Sequence, residues 1–231
     1  MLTQEQYQAK YGSFGPIHKG RLLEAYGTPI DFAHPELQYL TTAHKLAPAA
    51  WTEIYKAIDR MLRNTAMTGG QQIKEIAQAS RTKMDNTLAL LDVAEQRAAK
   101  HMEHVRIRER AVLWPKDAHE EAIAVELRTY LRGLPDGERD RALNTMLRSD
   151  DGSLVRAAIA SAPAPLSGVH PAKHSEVRTT HIAIRDPELI ELRAGLEGGT
   201  PLLTKAAEAL RADVYDFVDF QTAEDLKSLE S

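Results

Sequence analysis

The chain has 231 residues, a formal net charge of −4 and no cysteine, so it is long enough to bury a substantial core and carries no disulfide, thiolate zinc site or cysteine nucleophile. Met1 to Lys10 has Gln4, Glu5, Gln6, Gln8 and Lys10 where a signal peptide has an apolar stretch, and no apolar run of about 18 residues follows. These features predict a cytoplasmic protein with no membrane partner.

Short apolar series at Leu2 to Tyr11 and Ile17 to Tyr26, each stopped by glycine and proline, predict two short helices. Pro35 opens a further series through Leu37, Leu40 and His44. Pro48 fits the first position of a helix whose face is Trp51, Ile54, Tyr55, Ile58, Met61 and Leu62. Asn64 to Gly70 reads as a helix–helix connection.

From Gln71 to Val112 there is no proline or glycine, and apolar or small residues recur at Ile73, Ala77, Ser80, Met84, Thr87, Leu91, Ala94, Ala98, Met102 and Val105. Steps alternating between four and three predict one long helix with a heptad-like seam. Because half of that seam is Ala, Ser or Thr, it suits close packing but buries little area per turn, so it demands a partner helix. Asp85-Asn86-Thr87, three poor helix formers in a row, is the expected weak point.

Trp114-Pro115 ends this helix, and Asp117 is placed to cap the next, which carries Ile123, Leu127, Tyr130, Leu131 and Leu134. Two shorter helices follow at Glu138 to Arg148 and Ser153 to Ala162, then an Ala-Pro connector to Gly168. A helix from Pro171 to Arg185 comes next, and Asp186-Pro187 opens another. Gly198-Gly199-Thr200-Pro201 predicts a stop and a fresh start, after which Leu210, Val214, Phe217, Val218 and Phe220 continue a helix. The expected fold is all-α, a multi-helix assembly of short helices around one long central helix. Its expected segments are an N-terminal short-helix module (1–66), the long helix (67–113), a helical module (114–168) and a C-terminal helical region with an acidic tail (169–231). From Asp186 to Ser231 there are 11 acidic and 4 basic residues, so residues 1 to 185 carry a net +3.

Site chemistry is sparse. His101 and His104 lie one turn apart, and His170, His174 and His181 lie near one another, but neither set completes a metal motif. No nucleophile elbow or phosphate-binding loop is present, so no catalytic residue, metal or cofactor is expected. Arg97, Lys100, Arg106, Arg108 and Arg110 concentrate positive charge near the end of the long helix, although 106, 108 and 110 do not share one face. The leading expectation is a non-enzymatic structural or assembly protein acting through protein–protein contacts, with itself or other chains. A viral or phage particle assembled in the cytoplasm is one such setting. Its expected interface is the seam of Ile73, Ala77, Met84, Leu91, Ala94, Ala98, Met102 and Val105. The alternative is nucleic-acid contact through the basic stretch, and the third reading is an enzyme with an unrecognised site.

Overall fold

The computed structural model describes residues 34–114 and 117–229; the two helices expected before Pro35 lie outside them. A 3-10 turn at Pro35–Leu37 leads into α1 (Gln38–His44) and α2 (Leu46–Leu62). Then come α3 (Gly69–Leu113), α4 (Ala118–Gly133), α5 (Asp136–Leu147) and α6 (Gly152–Ala160). A second 3-10 turn at Ala164–Leu166 precedes α7 (Pro171–Arg185), α8 (Pro187–Phe217) and α9 (Phe220–Ser228). The described residues form no strand. The fold is all-α, with one long central helix, α3, in contact with several others.

Local chemistry explains where α3 begins. The Thr68 hydroxyl accepts from the Gln71 amide at 3.3 Å, and the Gln71 side chain accepts from the Thr68 amide at 3.1 Å. This reciprocal capping box draws Gly69 and Gly70, expected in the connection, into the first helical turn. Asp85 to Thr87 does not interrupt the helix: Asp85 and Asn86 face solvent, whereas buried Thr87 donates its hydroxyl to the Lys83 carbonyl at 2.8 Å. Pro48 sits at the third position of α2, not the first, still inside the turn whose amides have no helical acceptor.

The chain divides into two compact units, Met1–Ala99 with Gly195–Ser231, and Lys100–Ala194. In the first, α1 and α2 contribute Leu40, Trp51, Ile54 and Ile58 to the core, α3 contributes Met84, Leu91 and Ala98, and α8 contributes Leu196, Leu203 and Leu210. Trp51 meets Phe217 edge-on, with centroids 5.3 Å apart. Polar contacts secure the sides of α3: Lys83 pairs with Glu53, Arg81 with Glu224 at 2.8 Å, and Thr204 donates to Glu95 at 2.9 Å.

The predicted stop at Gly198 to Pro201 is absent, because helix runs through it. Leu189, Leu192, Leu196, Gly199, Leu203, Ala206 and Leu210 are all buried, and their steps of three and four stay in phase across the Gly-Gly-Thr-Pro stretch. Packing of this stripe outweighs the local propensity of two glycines and a proline. Pro201 itself lies on the exposed side.

In the second unit α6 is the hub, touching α4, α5 and α7. The core joins Leu131 of α4, Leu143 of α5, Val155 and Ile159 of α6, Val169 just before α7, and Val177 within α7. The Ala-Pro connector ends at Gly168, whose φ of 78° is left-handed. A Cβ there would lie 2.8 Å from the Arg128 carbonyl, so only glycine lets the chain pass α4 this closely.

Three substitutions test this packing by urea or thermal unfolding. Leu91→Ala removes a side chain only 1% exposed and should cost about 2–5 kcal/mol. Gly168→Ala should cost about 1–3 kcal/mol through forced left-handed backbone. Pro201→Ala should raise stability, by up to about 3 kcal/mol, because it restores an intrahelical amide at an exposed position; no gain would mean that helix does not continue through residue 201.

Candidate functional site

The seam expected as an interface is buried within the folded chain. Ala77, Met84, Leu91, Ala94, Ala98 and Val105 are buried, and Ile73 and Met102 are half-buried. In the second unit the stripe extends to Glu109 and Leu113, positions not anticipated from the sequence. Glu109 is tolerated there because Arg193 of α8 donates to its carboxylate at 2.8 Å, a charge-assisted bond that offsets the cost of burial.

The structure disperses the expected basic cluster. In the first unit the Arg97 guanidinium lies over the Tyr39 ring, 4.3 Å from its centroid. Burial pushes the Tyr39 hydroxyl up to about 12, with the Arg97 charge opposing the shift. In the second unit Arg108 holds Asp186 through both Nε, at 3.2 Å, and Nη2, at 2.8 Å. Arg106 pairs with Glu103 at 3.6 Å, and Lys100 and Arg110 are exposed. Three of the five cations, Arg97, Arg106 and Arg108, are thus engaged in contacts within their own unit.

The histidines separate in a similar way. His170 caps α7 by accepting from the Ala172 amide at 3.3 Å. His174 is buried, with Nε2 2.9 Å from the Ala162 carbonyl oxygen. His181 is also buried, but it lines an open groove. Among the described residues no group of three or more histidine, aspartate or glutamate side chains is arranged to hold a metal, and no helix is long and apolar enough to cross a membrane.

The groove lies wholly in the second unit, between the end of α3 and helices α4, α6 and α7, with a cavity volume of about 180 Å³. Trp114, 77% exposed, stands at its edge with Leu154 at 39% and Ile184 at 60%. Its charged lining is Arg156, Arg185 and Glu120. Burial holds the His181 imidazole below its usual pKa; Arg185 and Arg156 act in the same direction, against a hydrogen bond to the Val112 backbone. His181 is therefore neutral near pH 7, and the positive charge of the groove comes from the two arginines.

A second depression of about 710 Å³ adjoins Trp114, lined by Asp117, Glu121, Val125, Arg128, Arg132 and Leu166 among others. Its polar groups are already used. Asp117 caps α4 through the His119 and Glu120 amides, and Arg128 donates to the Ala158 carbonyl, the Ser161 hydroxyl and Glu121. Arg132 donates to the Arg128 carbonyl and the Thr129 hydroxyl. Little is left in this depression to select a ligand.

Sequence reading treats Trp114 only as the end of a helix and does not single out Leu154, Ile184, Arg156 or Arg185. A signal for Trp114 is present: it falls next to Leu113, about 100° off the buried stripe, so an indole there faces away from the core. The others come together only through the folding of α6 and α7. Family models, curated proteins and solved structures give no match to this chain.

The buried imidazole sets a pH dependence. An unfolded histidine titrates near about 6.5 and the folded His181 lower, so in between the unfolded chain binds more protons. Stability is therefore lost as pH falls from about 6.5 toward the folded value. His44 of the first unit, also lowered by burial, acts in the same sense. Urea midpoints should fall between about pH 7.5 and about pH 5.5, and less so in His181→Gln, whose amide can still donate to the Val112 backbone. An equal fall in the variant would exclude His181 as a contributor.

Proposed function

We propose that the protein is a non-enzymatic helical module that works through protein–protein contact, and that it docks a partner at the Trp114 groove of the second unit. The observation that carries this reading is an indole left 77% exposed beside Leu154 and Ile184 at the mouth of a cleft. Tryptophan is enriched among the residues that dominate binding energy at protein interfaces, and apolar neighbours that exclude water add to its effect. The cleft volume, about 180 Å³, falls below the roughly 300–1,000 Å³ of small-molecule sites but suits one or two side chains of a partner.

The surface offered to a partner is thus the groove and not the face of α3. The small-residue seam of α3 does not support an assembly, because the chain buries that seam. Nor does the groove favour a viral or phage particle over any other assembly. Nucleic-acid contact draws less support, since Arg97 and Arg108 are held by Tyr39 and Asp186.

Display of random peptides against the immobilised protein tests the proposal. Selected peptides should shift the emission of Trp114, which is distinguishable because the other tryptophan, Trp51, is only 5% exposed. Trp114→Ala should weaken them by about 2 kcal/mol or more while leaving the unfolding transition unchanged. Failure to select any peptide, or selection of peptides indifferent to Trp114→Ala, would refute docking at the groove.

A further inference from the structure

Resting on that docking reading, we infer that the partner segment is acidic: a peptide bearing a bulky apolar side chain flanked by carboxylates, the apolar group entering the cleft beside Trp114 and the carboxylates meeting Arg156 and Arg185. The charge pattern of the groove carries the inference. Its described lining holds two arginines against one carboxylate, Glu120. Many other arginines in the protein are matched at home: Arg81 with Glu224, Arg108 with Asp186, Arg128 with Glu121, Arg139 with Asp136 and Arg193 with Glu109. Arg156 and Arg185 have no carboxylate partner among the described residues.

The two arginines belong to different elements, α6 and α7, yet line the same groove, and both act electrostatically on the His181 ring that lines it with them. Arg156 is half-buried and Arg185 exposed, so one cation is partly desolvated at the groove wall while the other stands at the rim. A guanidinium in that setting binds a carboxylate through paired N–H donors, and the apolar surroundings strengthen the attraction relative to open water. Trp114, Leu154 and Ile184 supply the apolar half of the recognition. A purely apolar occupant would leave both arginines uncompensated beside it, and a basic occupant would be repelled.

Three fluorescein-labelled peptides test this by anisotropy: one alternating leucine with glutamate, and its glutamine and lysine counterparts. The glutamate peptide should bind the wild-type protein about tenfold or more tightly than the glutamine peptide, with affinity falling as salt is raised. Arg185→Glu, at an exposed position, should remove that preference and admit the lysine peptide, and Arg156→Gln should weaken glutamate binding with the thermal transition unchanged. Equal binding of glutamate and glutamine peptides, with loss on Trp114→Ala, would overturn the acidic preference while leaving docking at the groove intact. Loss of binding by all three peptides, together with failure of the display selection, would overturn both. Displacement of the glutamate peptide by a single-stranded oligonucleotide, abolished by Arg185→Glu, would overturn the acidic-protein assignment in favour of a nucleic-acid partner.

Discussion

The structure depends on how α3 is covered. A helix of 45 residues whose inward stripe is nearly half alanine, serine and threonine gains little from any one turn of contact. Its compensation is close approach: small residues let neighbouring helices come near, and dispersion is recovered over many turns. The larger side chains needed to fill such a contact come from elsewhere, as with Trp51 and Ile54 of α2 and Leu203 and Leu210 of α8 in the first unit. In the second unit Glu109 occupies the stripe, and its burial is acceptable only with Arg193 attached.

The uneven charge of the sequence has a related meaning. Residues after Asp186 are strongly acidic and the remainder is slightly basic, a pattern easily taken for a tail and a binding patch. Part of it is internal matching. Asp186 holds Arg108 in the second unit, while Glu224 holds Arg81 in the first. An exposed pair such as Arg81–Glu224 contributes little to stability on its own, but such pairs set which side of a helix faces which neighbour. Charge left without such matching, as at Arg156 and Arg185, is correspondingly more informative.

Periodic features were legible in the sequence, whereas features made by folding were not. The long helix was readable because its seam repeats over many turns, and Asp117, Pro171 and Pro187 marked helix starts by local chemistry that acts regardless of context. Gly198 to Pro201 misled because local propensity points to a break, while the burial of Leu196 and Leu203 on either side acts through the whole core. Thr68 and Gln71 formed a readable capping box hidden behind two glycines. The groove was not legible because Trp114 follows the end of α3 while Leu154 and Ile184 lie on α6 and α7, and no spacing rule links them. The buried seam illustrates a further point: periodicity identifies a face that must be covered, but not which chain covers it.

The division of the chain has a consequence for the order in which the protein takes shape during translation. Residues 100–194 are contiguous, and the second unit's core joins helices that follow one another closely along the chain. The first unit is discontinuous: Glu95 meets Thr204 across 109 positions, and Arg81 meets Glu224 across 143. On a ribosome its α3 stripe stays without α8 until residues beyond 195 have emerged, while the second unit can condense by short-range contacts. Newly made chains therefore expose alanine-rich helix surface for the time needed to synthesise nearly a hundred residues, and that interval, rather than the finished fold, is when the seam is available to a chaperone or to a neighbouring nascent chain.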